Sequence, residues 1–436
     1  MILIKGGLLI DPANNRMGAF DVLCEGTLIK EVAERGRISV PKEAQVVDVA
    51  GGWVVPGLVD MHVHLREPGF EWKETIKSGA QAAALGGFAA VCCMANTQPV
   101  NDCAEITRFI LAKGAEAGGA AVYPLGAVTR GLKGKELAPF LELRQAGCVA
   151  FSDDGRGITD ALIMRRALEW CRMLDVPLCC HEEDESLTQG GSMNESELSL
   201  KLGLRGLPAM AEEAMIARDI ELARATCGRV HFCHVSTARS VELIRRAKQD
   251  GLKVTAEVTP HHLLLTEDRV ADYDTYAKMN PPLRKEKDCA ALIAGLRDGT
   301  IDAIASDHAP HENDVKEIEF EKAAFGLIGL ETSLPLMLNL VREEKLSSMR
   351  LIEAMSLGPA RIMGLSGYGK LSKGEAANIT VIHPQAEWIF DRLSNRSLSF
   401  NSPWLGEKMT GRALLVMVRG RIVVQEGKLV GNGVSD

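Results

Sequence analysis

The chain has no Cys-x-x-Cys pair among its 11 cysteines, which removes the usual spacing of zinc ribbons and thiol–disulfide enzymes. Several of those cysteines (Cys92, Cys93, Cys179, Cys180 and Cys233) sit inside apolar runs, where a free thiol acts as a small hydrophobe. A reduced, cytoplasmic setting is therefore expected. No apolar run is long enough to span a bilayer, and Met1–Gly7 lacks the apolar core of a secretory signal. Positive charge is not in excess either. The 50 basic and 58 acidic residues leave a net charge of −8, with no basic stripe or tail, which excludes nucleic acid and anionic membrane as partners. No Gly-x-Gly-x-x-Gly follows a strand-like run, so the usual nucleotide site of a doubly wound sheet is missing.

What is present is an alternation. Short apolar runs (Val54–His64, Ala89–Met94, Ala121–Leu125, Val149–Ser152, Pro177–Cys180, Val230–Cys233, Val254–Val258, Ile301–Ala305) read as eight strands. Helix-period stretches lie between most of them, such as Ala161–Leu174, Met210–Thr226 and Arg239–Asp250. Eight strands alternating with helices predict an α/β chain with a (β/α)8 TIM-like barrel. Both ends carry short strands instead, at Ile2–Leu9, Asp21–Glu25, Leu28–Val32 and Gln45–Asp48, then at Ile379–His383, Ala413–Val418 and Arg421–Gln425. Neither end is large enough to bury a core alone. The expected organisation is a barrel over residues 55–368 beside a small β-sandwich built from residues 1–54 and 369–436. The weakly patterned stretch His311–Gly329 follows strand eight and is a candidate active-site loop.

In such a barrel, functional groups sit where strands end. The run Trp53–Val59 leads into Asp60-Met61-His62-Val63-His64-Leu65-Arg66. Side chains two apart on a strand share a face, so His62 and His64 converge. Strand four closes with Asp153-Asp154, strand five with His181, strand six with His234 and strand eight with Asp307. Any one of these histidines reads best as a structural residue. Four histidines and two aspartates at five strand ends read as a metal centre. Six groups exceed one tetrahedral ion with an open position; they suit two borderline divalent ions, zinc first, bridged by a carboxylate. Such a pair makes hydroxide from water near neutral pH and suits attack on an unactivated carbonyl. Either Asp153 or Asp154 could bridge, but neighbours on a strand face opposite ways, so only one does.

The motifs DMHVHLREPG, MANTQP, FSDDG, His181-Glu182-Glu183-Asp184, HVST, NPPLR, SDHAPH and GLET run the length of the chain. Together they resemble the bacterial type I dihydroorotases of the amidohydrolase superfamily. The resemblance implies reversible cyclisation of N-carbamoyl-L-aspartate to L-dihydroorotate in pyrimidine synthesis. It implies one Zn2+ on His62, His64 and Asp307, a second on His181 and His234, and Asp154 as the bridge. It casts Arg66 and Asn96 as the clamp for the substrate carboxylate with His311 assisting, Asn280 as a contact to the ring amide, and Phe325-Gly326 as a backbone contact. Asp307 would act as general acid and base. A homodimer, or a complex with aspartate transcarbamoylase, is also implied. Two positions depart from that pattern: Ala95 stands where proline is usual, and Glu182 stands where cysteine is commoner. Thr259-Pro260-His261-His262 also matches, and reads as strand-end packing. A hydantoinase or allantoinase would usually show a lysine at strand four and lack the Arg66–Asn96 pair. A non-catalytic scaffold would be marked by a lost ligand, and none is lost.

Overall fold

The computed structural model describes residues 1–430; residues 431–436 of the expected C-terminal unit lie outside it. Two groups of sheets hold all the strands but Met193–Asn194 and Gly206–Leu207, which pair with each other. In the first group, Leu28–Glu34, Phe20–Glu25, Ile2–Lys5 and Gln45–Asp48 form a four-stranded sheet in that order. Facing it is a seven-stranded sheet drawn from both ends of the chain: Lys428–Leu429, Arg421–Gln425, Lys408–Val418, Ile379–Ile389, Trp53–Pro56, Leu8–Asp11 and Arg16–Gly18. Ile4, Val22 and Cys24 from the smaller sheet pack with Leu9, Val54, Val381 and Leu415 from the larger one. Ile2–Leu9, expected as one strand, is two, broken at Gly6, whose φ of 87° is a left-handed value that an L-residue resists.

The second group is parallel throughout. Leu58–Val63 pairs with Phe88–Cys93, which pairs with Ala121–Pro124. Leu178–Cys180, Val230–Phe232, Val254–Val258 and Ala303–Ile304 follow one another in a second sheet. Isolated bridges join the two, Gly126 to Phe151, Phe151 to Leu178 and His308 to Val63. The expected fourth strand is thus reduced to bridges at Phe151.

The expected first strand, Val54–His64, is also two. Trp53–Pro56 pairs antiparallel with Ile379–Ile382 and parallel with Leu8–Leu9, whereas Leu58–Val63 enters the parallel sheet. The break is Gly57, whose N–H donates to Asn378 O at 2.9 Å and whose added Cβ would lie 2.6 Å from Ala89 Cβ. The Ala89 methyl, with the Asn378 backbone behind it at 3.2 Å, leaves no room there for a side chain.

Helices cover the parallel strands, and their sequences explain their ends. Ala161–Leu174 starts at Asp160, whose carboxylate accepts from the N–H groups of Leu162 and Ile163. It buries Met164, Ala167, Leu168 and Cys171, one stripe of a 3.6-residue period. Ala238–Gln249 starts at Thr237, which accepts from Ser240 N, and buries Val241, Ile244 and Ala247. Among the described residues, no helix is long and apolar enough to cross a membrane.

Candidate metal centre and active site

Six side chains meet where the parallel strands end. His62, at the end of Leu58–Val63, is wholly buried, and His64 follows with its N–H donating to His308 O at 2.8 Å. Asp154 Oδ1 lies 3.4 Å from His62 Nε2 and 3.4 Å from His234 Nε2, while its Oδ2 lies 3.4 Å from His64 Nε2. Asp307 Oδ1 lies 3.4 Å from His62 Nε2 and 3.1 Å from His64 Nε2. His181 Nδ1 is 3.0 Å from His234 Nε2 and 3.8 Å from Asp154 Oδ1. Asp153 turns the other way. It accepts from Val128 N at 2.7 Å, Thr129 N at 3.0 Å and the Thr129 hydroxyl, and ties two loops together.

These groups could hold a metal ion. His62, His64 and Asp307 form one set with ligand atoms within 4.8 Å of one another, and Asp154, His181 and His234 form another. His62 Nε2 is buried and has no hydrogen-bond partner, although it faces two carboxylates. Burial opposes charge on His62, but Asp154, Glu257 and Asp307 outweigh it and raise the imidazole well above its ordinary range. The pocket therefore strongly favours positive charge. Imidazole and carboxylate donors at this spacing suit a borderline divalent ion.

The far nitrogens of His62, His64 and His181 are also engaged, whereas Nδ1 of His234 is buried with no hydrogen-bond partner among the described residues. His62 Nδ1 lies 2.6 Å from Glu257 Oε1, and His231 Nε2 lies 3.2 Å from Glu257 Oε2. His64 Nδ1 lies 2.9 Å from Asn96 Oδ1, and His181 Nε2 lies 2.9 Å from Glu183 Oε2. Such partners fix which ring nitrogen faces inward. Sequence reasoning missed Glu257 and His231 as site residues. Their signal was a charged residue and an imidazole inside otherwise apolar strands, where neither is buried without a partner. Backbone strain gathers here as well: Arg66, His234 and Asp307 have φ of 64°, 32° and 48°.

Beside the cluster lies a cavity of about 220 Å³, lined by His64, Arg66, Asn96, Asp154, His181, His234, Asn280, Asp307, His311, Phe325 and Gly326 among others. Of the residues expected in the site, only His62 lies beneath it rather than on its wall. Arg66 donates from Nε to Pro310 O at 3.1 Å and approaches His311 Nε2 with Nη2 at 3.3 Å. Burial lowers its guanidinium to about 10, and among the described residues no carboxylate lies within ion-pair reach of it. Burial, then the charges of Arg66, Lys73 and Lys316, push His311 down to about 2. A neutral imidazole accepts on one nitrogen only, yet Arg66 and Lys73 Nζ (3.4 Å) each face a ring nitrogen of His311. This end of the cavity is rich in donors and cations and fits an anion.

Asn280 Nδ2 donates to Glu183 Oε2 at 2.7 Å and lies 3.5 Å from His181 Nε2. Gly326 N–H donates to Lys278 O at 2.9 Å, and its carbonyl accepts from Asn401 and Lys316, each at 3.1 Å, so its backbone groups are held within the protein. Glu182 groups with Asp219 and Cys180, and burial, then Asp219, raise its carboxyl well above the ordinary carboxylate range. His262 is held between Thr259 Oγ1 (2.7 Å) and Pro281 O (2.9 Å), and His308 between Glu74 and Gly329 N.

Solved structures share this arrangement of strands. The L-hydantoinase (dihydropyrimidinase) from Arthrobacter aurescens superposes with a TM-score of 0.87 at 26% identity, covering 99% of this chain and 97% of its own. The D-hydantoinase (dihydropyrimidinase) from Thermus sp. does so with a TM-score of 0.83 at 22% identity, covering 99% and 97%. A fold of this kind carrying imidazoles and carboxylates at its strand ends defines a cyclic amidohydrolase. Sequence relatives narrow the class. The dihydroorotase of Anaeromyxobacter sp. (strain K) is 51% identical over 430 residues, covering 98% of this chain and 99% of its own. That of Pelobacter propionicus is 50% identical over 422 residues, covering 97% and 99%. Residues 51–240 match the family described as Dihydro-orotase-like. The chain belongs to the dihydroorotase family.

Proposed function

We propose that this enzyme interconverts N-carbamoyl-L-aspartate and L-dihydroorotate in pyrimidine biosynthesis, using two zinc ions held together at one mouth of a closed (β/α)8 barrel. The parallel sheets and the bridges that join them support the closed barrel, and the two facing sheets of terminal strands support a β-sandwich beside it. His62, His64 and Asp307 would hold one ion, His181 and His234 the other, and Asp154 would bridge them. When bound, the ions polarise the attacked carbonyl and lower the pKa of water.

The remaining work belongs to the protein. Arg66, with Nδ2 of Asn96, binds the substrate carboxylate at the cationic end of the cavity, and His311 assists. Asn96 can serve there because its Oδ1 is already turned to His64. Asn280 faces the opposite wall and orients the ring amide. In the ring-opening direction, Asp307 takes a proton from the attacking water and passes it to the departing ring nitrogen. In the closing direction, it takes the proton from the carbamoyl nitrogen as that nitrogen attacks the side-chain carboxyl carbon, and passes it to the carboxyl oxygen that departs as hydroxide when the C–O bond breaks.

The observation that carries this reading is Arg66, a half-buried guanidinium that faces the cavity beside the imidazole–carboxylate cluster and has no carboxylate within ion-pair reach among the described residues. Hydantoin and allantoin have no carboxylate to place there. Assaying dihydroorotate, hydantoin and allantoin side by side tests it: preference for dihydroorotate is expected, and preference for either of the others overturns the assignment.

A further inference from the structure

One side chain that touches the site comes from far outside the parallel strands. Asn401 lies in the segment linking the strands Ile379–Ile389 and Lys408–Val418 of the seven-stranded sheet. It is wholly buried. Its Nδ2 donates to Ala309 O at 2.9 Å and to Gly326 O at 3.1 Å, and its Oδ1 accepts from His311 N at 3.0 Å. Its own carbonyl accepts from Ile328 N at 2.9 Å. Both ends of the amide are thus engaged, which fixes its orientation.

The residues it joins are the two limbs of the loop after strand eight. One limb carries His311 and the other Phe325-Gly326. Between them the chain has little regular structure, only the short turn Asn313–Val315. The limbs meet where Ala309 N donates to Leu327 O at 2.7 Å, and a Cβ on Gly326 would come within 2.7 Å of Ala309 Cβ. Asn401 spans that junction from behind.

The segment bearing Asn401 is itself anchored. Arg396 N and Ser397 N donate to Glu331, at 2.9 and 3.4 Å, and the Ser397 hydroxyl donates to Glu74. The Ser399 hydroxyl donates to Lys73 O at 2.7 Å, and Arg269 reaches Pro403 O at 3.1 Å. A buried amide on a fixed support is a rigid brace, and leaving its carbonyl and N–H partners unpaired is costly.

We propose that Asn401 is a positioning residue for the carboxylate end of the active site, setting His311 and both limbs of the loop against Arg66. This rests on the substrate reading above. Asn401 touches no reacting atom, so it acts on substrate binding more than on chemistry. Its role makes the terminal sheets part of the active site.

The test is steady-state turnover of N-carbamoyl-L-aspartate by full-length Asn401→Ala and Asn401→Asp, with hydrogen exchange measured on the same samples. Asn401→Asp keeps the shape and the acceptor for His311 N while removing both donors, and it carries the test if the alanine variant fails to fold. KM is expected to rise about tenfold with kcat held within about twofold, since buried hydrogen bonds to a binding loop are lost. In a His311→Ala background the same substitutions should raise KM less, because the backbone bond to residue 311 remains but the imidazole it positions is already gone. Exchange should quicken within residues 309–328 and not elsewhere. An unchanged KM, or a loss of kcat with quickened exchange throughout the protein, overturns the proposal. If the parent enzyme turns over neither substrate, the function assigned above has failed; the exchange pattern then still decides the positioning role, and an unaltered 309–328 refutes it.

Discussion

Glu257 holds His62 by its hidden side: Oε1 lies 2.6 Å from Nδ1 of the imidazole, and the carboxyl group is held down to about 2 by the charges of His62 and His231 against the opposing effect of burial. The nitrogen this leaves facing Asp154 and Asp307 is Nε2. Glu257→Gln keeps the shape and removes the charge. Metal affinity should fall by about 10- to 100-fold, as for other partners of metal-bound imidazoles. Competition with a chromogenic chelator measures it, and an affinity equal to that of the parent protein would remove Glu257 from the centre.

Purified protein should carry close to two divalent ions per chain, because the ligands form two sets around Asp154. Elemental analysis checks the count. Stripping the ions should abolish turnover, and adding zinc should restore it. Full activity with one ion or fewer would defeat the bridged pair.

Asp307→Asn should abolish turnover at a nearly unchanged melting temperature, since the amide keeps the size of the carboxylate and loses its basicity. Near-parental kcat would exclude it as the proton carrier.

Arg66→Lys should lower kcat/KM for carbamoyl aspartate by about 10-fold or more, because a point charge replaces a planar two-pronged donor. An unaltered kcat/KM would take Arg66 out of the clamp.

Glu331 gives the stability of the enzyme a pH dependence of known sign. Burial, then Glu74, push its carboxyl up from 4.5 to about 8, with the N–H groups of Arg396 and Ser397 opposing. The folded state therefore holds a proton that the unfolded chain has released. Its contribution is full below pH 4.5 and is lost as pH rises through about 8. Melting temperatures of Glu331→Gln and the parent should draw apart in the variant's favour from pH 6 to about 9. Parallel curves over that range would show that Glu331 is ionised in the fold.

The alternation of apolar runs and amphipathic stretches made the parallel strands and their helices legible, and the period of two in His62-Val63-His64 announced two converging imidazoles. Gly57 was harder to read. The apolar run through it is unbroken, and only the close approach of Asn378 and Ala89 shows why the chain changes sheets there. Phe151 pairs through bridges too sparse to make the strand its sequence suggests. Asp154 and Asp153 are alike in composition; the loop at Val128-Thr129 turns one of them away. Glu257 was visible as a charge in an apolar strand, but its partner is 195 residues distant. Asn401 carries no local signal, because its role depends on a segment from the far end of the chain arriving behind strand eight.

The strand Trp53–Pro56, which feeds the chain toward His62, lies between Leu8–Asp11 and Ile379–Ile389. Synthesis makes every proposed metal ligand before it makes that second neighbour. A nascent chain therefore exposes a complete set of imidazoles and carboxylates while the support of its first strand is still inside the ribosome. Completing the sheet around Trp53–Pro56 therefore needs both ends of the chain, and a product lacking residues 379–389 would leave that strand with one neighbour.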